Sequence, residues 1–439
     1  MTVSRNILIL GASGLIGHFL TQDLRKRGFG VVAVARKFAA SQGSYALDLE
    51  MPLLTMDSPA LARLIGEHAI DVVVNCLGVL QDGPGSDTSA VHRDFVERLL
   101  QAIKTRGRAI RLIHFSIPGS AKDDRTAFSA TKREAEGMIA ASGVCYAMLR
   151  PGFVIAPAAF GGSAMVRAFA AMPMALPAAE SEKPFQPVAV EDIAATVAWL
   201  AVRDLKDATT NAVTWDLMQK QPVTLGEVIA SFRRAFGTGN WPRIHLPVFL
   251  LEFAVKLADL AGWLGWQSPM RSTAMIELRR GVRGDPSVWI GTTGIVPADL
   301  DSAGHGAATI QDKWFARLYL IKALILASLV AFWSVSGFIA LFVSYDAAAG
   351  ILSSHHFPTS LVGPITVLTS LMDISVGVLI AFRRTSAIGL TCGILTSLGY
   401  MAGAAILTPD LWIEPLGALV KTGPAIVLML VALAMLDNR

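Results

Sequence analysis

Ile7-Leu8-Ile9-Leu10-Gly11-Ala12-Ser13-Gly14-Leu15-Ile16-Gly17 decides how the first part of this chain folds. The apolar run is too short for a signal peptide and reads as a first strand that feeds a glycine-rich turn. Residues 15–27 mix an apolar stripe with charged positions, as a helix covering a sheet does. In a strand-turn-helix unit of this kind Gly11 allows the tight turn, Gly14 lets the backbone approach a pyrophosphate, and Gly17 allows helix and strand to pack closely. The helix N-terminus adds N–H donors and the positive end of its dipole. Gly11, Ser13, Gly14, Leu15, Ile16 and Gly17 are therefore the first candidate cofactor-binding residues.

Short apolar runs and helical patterns keep alternating to about residue 155. Strands are expected at 7–10, 31–35, 71–76, 111–115 and 147–150, with helices at 15–27, 59–68, 91–105 and 128–141. That alternation predicts an α/β Rossmann-type parallel sheet. A Pro- and Ala-rich stretch over 151–247 reads as a small C-terminal lobe shaping a substrate cleft. Residues 245–266 are apolar apart from Glu252, Lys256 and Asp259, which share one helical face. They predict an amphipathic helix, either in the membrane interface beside Trp263 and Trp266 or packed on the soluble domain. Residues 281–312, rich in Gly, Asp, Ala and Ser, read as a linker.

The remainder differs in kind. The 439-residue chain is 53% hydrophobic and 16% charged, with mean hydropathy +0.51, values that call for a membrane portion. Four apolar segments, at 323–344, 361–382, 387–407 and 416–436, are each about 21 residues, enough to cross a hydrocarbon core of about 30 Å. Lys313, Arg317 and Lys322 precede the first, Arg383 and Arg384 fill the second connection, and Arg439 follows the fourth. By the positive-inside rule both termini are expected in the cytoplasm, the protein being a multi-pass protein of the cytoplasmic membrane. The expected organisation is thus a nucleotide-binding domain with its lobe over 1–240, an amphipathic helix and linker over 241–312, and an all-α four-helix transmembrane domain over 313–439.

The net charge of +4 comes from scattered Lys and Arg, so no nucleic-acid partner is expected. Cys76, Cys145 and Cys392 lack metal-like spacing and read as buried thiols. His355-His356 are adjacent and diverge by about 100° on a helix, which makes a poor metal pair. No metal site is expected. Asp373, midway along the second span, and Lys421, two turns into the fourth, are costly at such depth unless paired, and are expected to face each other.

The expected second strand ends in Arg36-Lys37, where NAD-selective chains usually carry an acid for the ribose hydroxyls. Two cations suit a 2′-phosphate, so NADP(H) is the expected cofactor.

Taken together, the glycine turn, Asp48-Leu49, Asn75-Cys76-Leu77-Gly78, His114-Phe115-Ser116 and Leu149-Arg150-Pro151-Gly152 resemble the extended and atypical short-chain dehydrogenases/reductases, including the branch related to the 39 kDa subunit of respiratory complex I. The resemblance covers residues 5–240. It implies that Asp48 and Leu49 border adenine and that Leu77 and Gly78 lie against the middle of the cofactor. The tail, over 313–436, resembles the DoxX-like membrane family through its helix count and Pro415-Leu416-Gly417…Lys421.

In the dehydrogenase family the chemistry rests on Tyr-x-x-x-Lys at a helix start, the lysine lowering the phenol's pKa and holding the ribose. Here the segment reads Phe128-Ser129-Ala130-Thr131-Lys132. Lys132 is kept and the phenol is not; Ser116 stands where the family often has its serine. Tyr45 and Tyr146, the other tyrosines before residue 319, fall in or beside strands. The expected function is that of a membrane-anchored NADP(H)-binding oxidoreductase on a lipophilic substrate such as a quinone, isoprenoid or lipid carbonyl. The alternative is a non-catalytic NADPH-binding structural or sensor subunit that meets other subunits of a membrane complex.

Overall fold

The structure is a computed structural model and describes residues 5–38, 47–83, 86–205, 207, 209–302, 309–413 and 417–436. Two units divide the chain. The first comprises Met1–Asp259 and Ser268–Ala316, the second Leu260–Gln267 and Arg317–Arg439.

The first unit holds strands β1 (Asn6–Leu10), β2 (Gly30–Ala35), β3 (Asp48–Glu50), β4 (Val72–Asn75), β5 (Arg111–Phe115), β6 (Cys145–Pro151), β7 (Phe153–Ile155), β8 (Met174–Ala175), β9 (Pro187–Ala189), β10 (Val213–Leu217) and β11 (Ile244–His245). Seven of them form one parallel sheet in the order β10-β6-β5-β4-β1-β2-β3. The order reverses at β1, which pairs with β2 on one side and β4 on the other. That switch point opens a crevice above the carboxyl ends of β1 and β4, the usual ligand position in such sheets.

Alternation sorts the strand residues into two layers. Ile7, Ile9, Val31 and Ala33 pack with Leu20 and Leu24 of α1 (Leu15–Lys26). Leu8, Leu10, Val32 and Val34 pack with Leu61 of α2 (Ser58–Glu67) and Phe95 and Leu99 of α3 (Phe95–Thr105). Helix α4 (Ala127–Ala141) contributes Ala135 and Ile139 to the second layer. The lobe is organised around α5 (Gly161–Ala171) and α8 (Leu225–Phe236), where Val166, Phe169, Val228 and Phe232 are buried together. Between them lie α6 (Ala178–Ser181) and α7 (Val190–Ala201), the latter covering the first layer.

The stretch read as amphipathic helix and linker over 241–312 is more ordered than that reading implies. It carries α9 (Val248–Trp263), α10 (Ser272–Arg280) and α11 (Ser287–Thr293). Residues 268–316 belong to the first unit. The reason is specific: Trp289 on α11 is fully buried against the sheet's first layer, and its indole N–H donates to Thr196 Oγ1 at 3.0 Å. Val282 N donates to Pro184 O, and Val282 O accepts from Gln186 N.

Helix α12 (Ile310–Phe338), with the π-helical turn Ile339–Val343, leads into the second unit, followed by α13 (Tyr345–Ser354), α14 (Thr359–Ala381), α15 (Ser386–Leu407) and α16 (Ala418–Ala434). Among the described residues, 310–343, 359–381 and 386–407 are long and apolar enough to cross a bilayer, while the fourth apolar segment is a shorter helix. Small residues let these helices approach closely. A Cβ on Gly377 would strike Ser334, and one on Gly393 would strike Met429 and Trp333.

Candidate active site

The turn after β1 has the shape its glycines allow. Gly11 adopts φ +83°, which only glycine takes without strain. A Cβ on Gly17 would run into Gly11 O and Ala12 Cα, so the helix packs onto the turn at a distance no side chain permits. Gly14 caps α1 with no side-chain hydrogen bond, leaving N–H groups of the first turn directed outward. Ser13 and Leu15 are half-buried in and after this turn, and Ile16 packs on the first layer.

The loop after β4 abuts it. A Cβ on Gly11 would come within 3.1 Å of Leu77 Cδ2 and 3.2 Å of Cys76 C. Asn75 shapes that loop by accepting from Leu77 N at 3.1 Å and meeting His114 Nδ1 at 3.2 Å. Gly78 then lies against Lys132: a Cβ there would sit 3.7 Å from Nζ and 3.9 Å from His92 Nε2. The glycine turn, Leu77, Gly78 and Lys132 therefore converge.

Lys132 is buried. Its ammonium donates to Phe115 O at 2.9 Å and Leu77 O at 3.3 Å, and burial pulls its pKa down to about 8. His92, which the sequence did not single out, closes this floor. Its Nε2 accepts from Val79 N, its Nδ1 meets Thr131 Oγ1 at 2.9 Å, and burial followed by the Lys132 charge lowers its pKa to about 3. A lone histidine carries no spacing signal, so only the three-dimensional contact reveals it. Burial likewise holds His114 well below its ordinary range and pushes the Cys76 thiol up.

Phe128 sits one turn before Lys132, with its ring edge-on to His92 at 5.6 Å between centroids. The helix start that presents it is fixed by a reciprocal cap: Ser129 N donates to Thr126 Oγ1 and Thr126 N to Ser129 Oγ. Thr126 Oγ1 donates in turn to Glu277 of α10. Ser116 is buried at the end of β5, its N–H donating to Leu149 O, next to the Glu136 carboxylate. Burial opposes charge on Glu136, but hydrogen bonds from Arg150 at 2.7 Å outweigh it and keep the acid below its usual range. Arg133 bridges Glu136 and Asp124, and Arg280 reaches Asp124, Glu277 and Pro118 O. Tyr146 lies in β6, packed on the second layer, and Tyr45 falls outside the described residues.

At the far end of the crevice, Arg36 and Lys37 follow β2 and are exposed, with no ion pair among the described residues. Asp48 is engaged by Arg25 of α1 at 2.6 Å, and Leu49 packs on the second layer. Ala12, His18, Gln22, Arg25, Phe38 and Asp48 line a small recess there.

In the second unit Asp373 does not take the partner expected for it. Its Oδ1 accepts from Tyr400 OH at 2.8 Å, and among the described residues no ion pair joins it to Lys421, which is exposed near the start of α16. Tyr400 comes from α15, packed directly along α14, so a phenol reaches the carboxylate where a lysine at the end of another helix does not. His355 is likewise occupied, with Nε2 2.8 Å from Asp410 and Nδ1 2.7 Å from Ile351 O. No group of three metal-ligating side chains occurs among the described residues.

Residues 7–223 match the NAD dependent epimerase/dehydratase family, and residues 330–430 match the DoxX-like family. The chain is 29% identical over 164 residues to the chloroplastic divinyl chlorophyllide a 8-vinyl-reductase of Cucumis sativus, over 33% of this chain and 38% of that protein. It thus spans about two fifths of that relative. Among solved structures, it is similar to the UDP-glucose 4-epimerase of Thermotoga maritima with UDP-glucose (TM-score 0.52, 15% identity, 72% of this chain and 100% of the other). It is also similar to the Bordetella bronchiseptica enzyme WbmH in complex with NAD+ (TM-score 0.51, 17% identity, 70% and 97%). At such identities these likenesses speak for the fold.

Proposed function

With an NAD dependent epimerase/dehydratase-family domain over residues 7–223 and a DoxX-like domain over 330–430 as the premise, we propose that this chain is a membrane-anchored, NADP(H)-dependent reductase of a lipophilic acceptor that needs no proton from a tyrosine. The observation that carries the reading is the pairing of a buried Lys132 ammonium at the crevice floor with Phe128 in the place of the acid.

The crevice fits the dinucleotide on its own geometry. A Cβ on Gly11 or Gly17 would press on the neighbouring backbone, the start of α1 without a side-chain cap offers N–H donors, and the exposed Arg36 and Lys37 after β2 support a 2′-phosphate. When bound, NADPH supplies a hydride. Lys132 holds the nicotinamide ribose and keeps positive charge in a dry floor, where it favours negative charge developing nearby. Phe128 excludes water from this floor and donates no proton. Such a site serves acceptors whose reduced form is protonated by water, a conjugated quinone or activated carbon–carbon double bond rather than a simple carbonyl. That the Cucumis sativus relative is named a vinyl-reductase supports the second class. Anchoring by the apolar spans supports a substrate that partitions into lipid. The basic residues around the first and second spans support cytoplasmic termini, with the protein in the cytoplasmic membrane.

The test is turnover by full-length protein in nanodiscs with NADPH and a short-chain quinone. NADPH oxidation above the protein-free rate that falls by at least about 100-fold in Lys132→Ala, with NADPH still bound, is expected. Phe128→Tyr should add reduction of simple carbonyls. Tight NADPH binding with no turnover on any quinone or enone, and none gained by Phe128→Tyr, would leave the chain a nucleotide-binding subunit instead.

A further inference from the structure

Helix α9 fits either an interfacial or a packed position by its sequence, and in the structure one side of it is broadly apolar and exposed. Phe249, Phe253, Leu257, Leu260 and Trp263 are between 49% and 84% exposed. At about 100° per residue they form one stripe about 120° wide, while Leu251 and Val255 on the opposite side are buried. A continuous stripe of large exposed apolar side chains marks an interaction surface.

The chain itself says what faces it. The last turn of α9 and the residues after it, Leu260–Gln267, belong to the membrane unit. There, Trp266 Nε1 donates to the carbonyl of Ala381, the last residue of α14, at 2.7 Å. Arg383 N donates to Leu264 O at 3.0 Å, and the Arg383 guanidinium lies 5.5 Å from the Trp266 ring centre. The end of an apolar span beside Arg383 and Arg384 is where a headgroup layer is expected, and this segment is tied to it. The apolar stripe lies along the same helix that leads into this segment, with Lys256 within it and Glu252 at its edge. We infer that α9 is an interfacial helix whose Phe249–Trp263 stripe inserts at the headgroup–acyl boundary of a bilayer.

Insertion would bear on the site. Asp259 on α9 accepts from Ser272 N and Oγ at the start of α10, and the adjacent Arg271 donates to Asp82 O in the loop that follows β4. From α10, Glu277 holds the cap that presents Phe128, and Arg280 donates to Pro118 O. A lipid-seated α9 therefore holds the helix that braces the crevice wall.

The inference rests on the membrane reading of α12, α14 and α15 and is independent of the reductase reading. It is tested with full-length protein in which Cys76, Cys145 and Cys392 are replaced by alanine and one cysteine carries an environment-sensitive fluorophore. Labels go at 253, 257 and 260, at 202 as a solvent control and at 368 on the exposed face of α14 as a lipid control. In nanodiscs of phosphatidylcholine with phosphatidylglycerol, shallow doxyl lipids should quench the α9 labels about threefold more than the 202 label. Deep doxyl lipids should favour the 368 label. Quenching at 368 with none above the 202 level on α9 would overturn the inference and leave the membrane reading intact. Blue-shifted but unquenched α9 labels would mean that protein covers the stripe, which equally overturns it. No quenching at 368 would show that the membrane reading itself fails.

Discussion

The two ends of one crevice are built by opposite means. At the Gly11–Gly17 turn the site consists of missing side chains, the start of α1 and two exposed cations, Arg36 and Lys37. At the start of α4 nearly every polar group is already spent: Thr126 on Glu277, Arg133 on Asp124 and Glu136, Glu136 on Arg150, Lys132 on two carbonyls. The first end is shaped for a guest, and the second is a braced wall with a single charge in it. Affinity and chemistry are thus separable in this chain, and substitutions should separate them.

The largest effect belongs to the cradle. Gly17→Val places a branched side chain against Gly11 O and Ala12, and calorimetry should find NADPH affinity reduced by at least about 100-fold, equivalent to 2.7 kcal/mol or more. Undiminished binding would mean that the dinucleotide lies elsewhere. Smaller, and confined to selectivity, is Arg36→Asp. NADPH affinity should fall about tenfold with NADH affinity unchanged or improved, since a charged hydrogen bond to phosphate is worth about 1.5–3 kcal/mol. Equal loss for both cofactors would remove the 2′-phosphate role.

How much of this was legible beforehand depends on the signal each feature carries. The glycine turn, the strand–helix alternation and the first three apolar spans are local patterns, and the structure has them close to where the sequence placed them, whereas the fourth expected span is the shorter helix α16. Strand β10 lay in the stretch read as irregular lobe because its five residues Val213–Leu217 are one strand among Pro- and Ala-rich turns; its place beside β6 is a long-range pairing. Residues 281–312 looked like a linker by composition, yet Trp289 within them is fully buried in the core of the first unit. Phe128 and Lys132 could be read from spacing, whereas His92 and the Glu277 contact could not, since neither follows from a periodicity. The Asp373 partner was missed because helix depth alone does not say which side chain reaches across.

A subtler expectation concerns the wall. The Lys132 pKa lies near 8 in the folded protein and at its ordinary higher value in the unfolded chain, so the unfolded state holds more protons between pH 8 and 10. Burying the ammonium is therefore a full penalty below pH 8 that is relieved as pH rises. Measured against Lys132→Met, the native protein should gain about 2 kcal/mol from pH 7 to pH 9.5. A flat difference would mean that Lys132 is more solvated than its surroundings indicate. The smallest effect lies in the second unit. Asp373→Asn and Tyr400→Phe should each lower stability in detergent, and the double variant should lose less than the sum by about 0.6 kcal/mol. Strict additivity would mean that the phenol and carboxylate do not meet.

The burial of Trp289 has a consequence for how the protein is made. Ile295, which packs on the same layer, precedes the first residue of α12, Ile310, by only 15 positions. A nascent chain cannot close its nucleotide domain until the segment immediately ahead of the first membrane helix has left the ribosome. Completion of the soluble fold and delivery of that helix to the insertion machinery are therefore nearly simultaneous events, and a gene fragment ending at codon 240 would encode a domain lacking part of its own core.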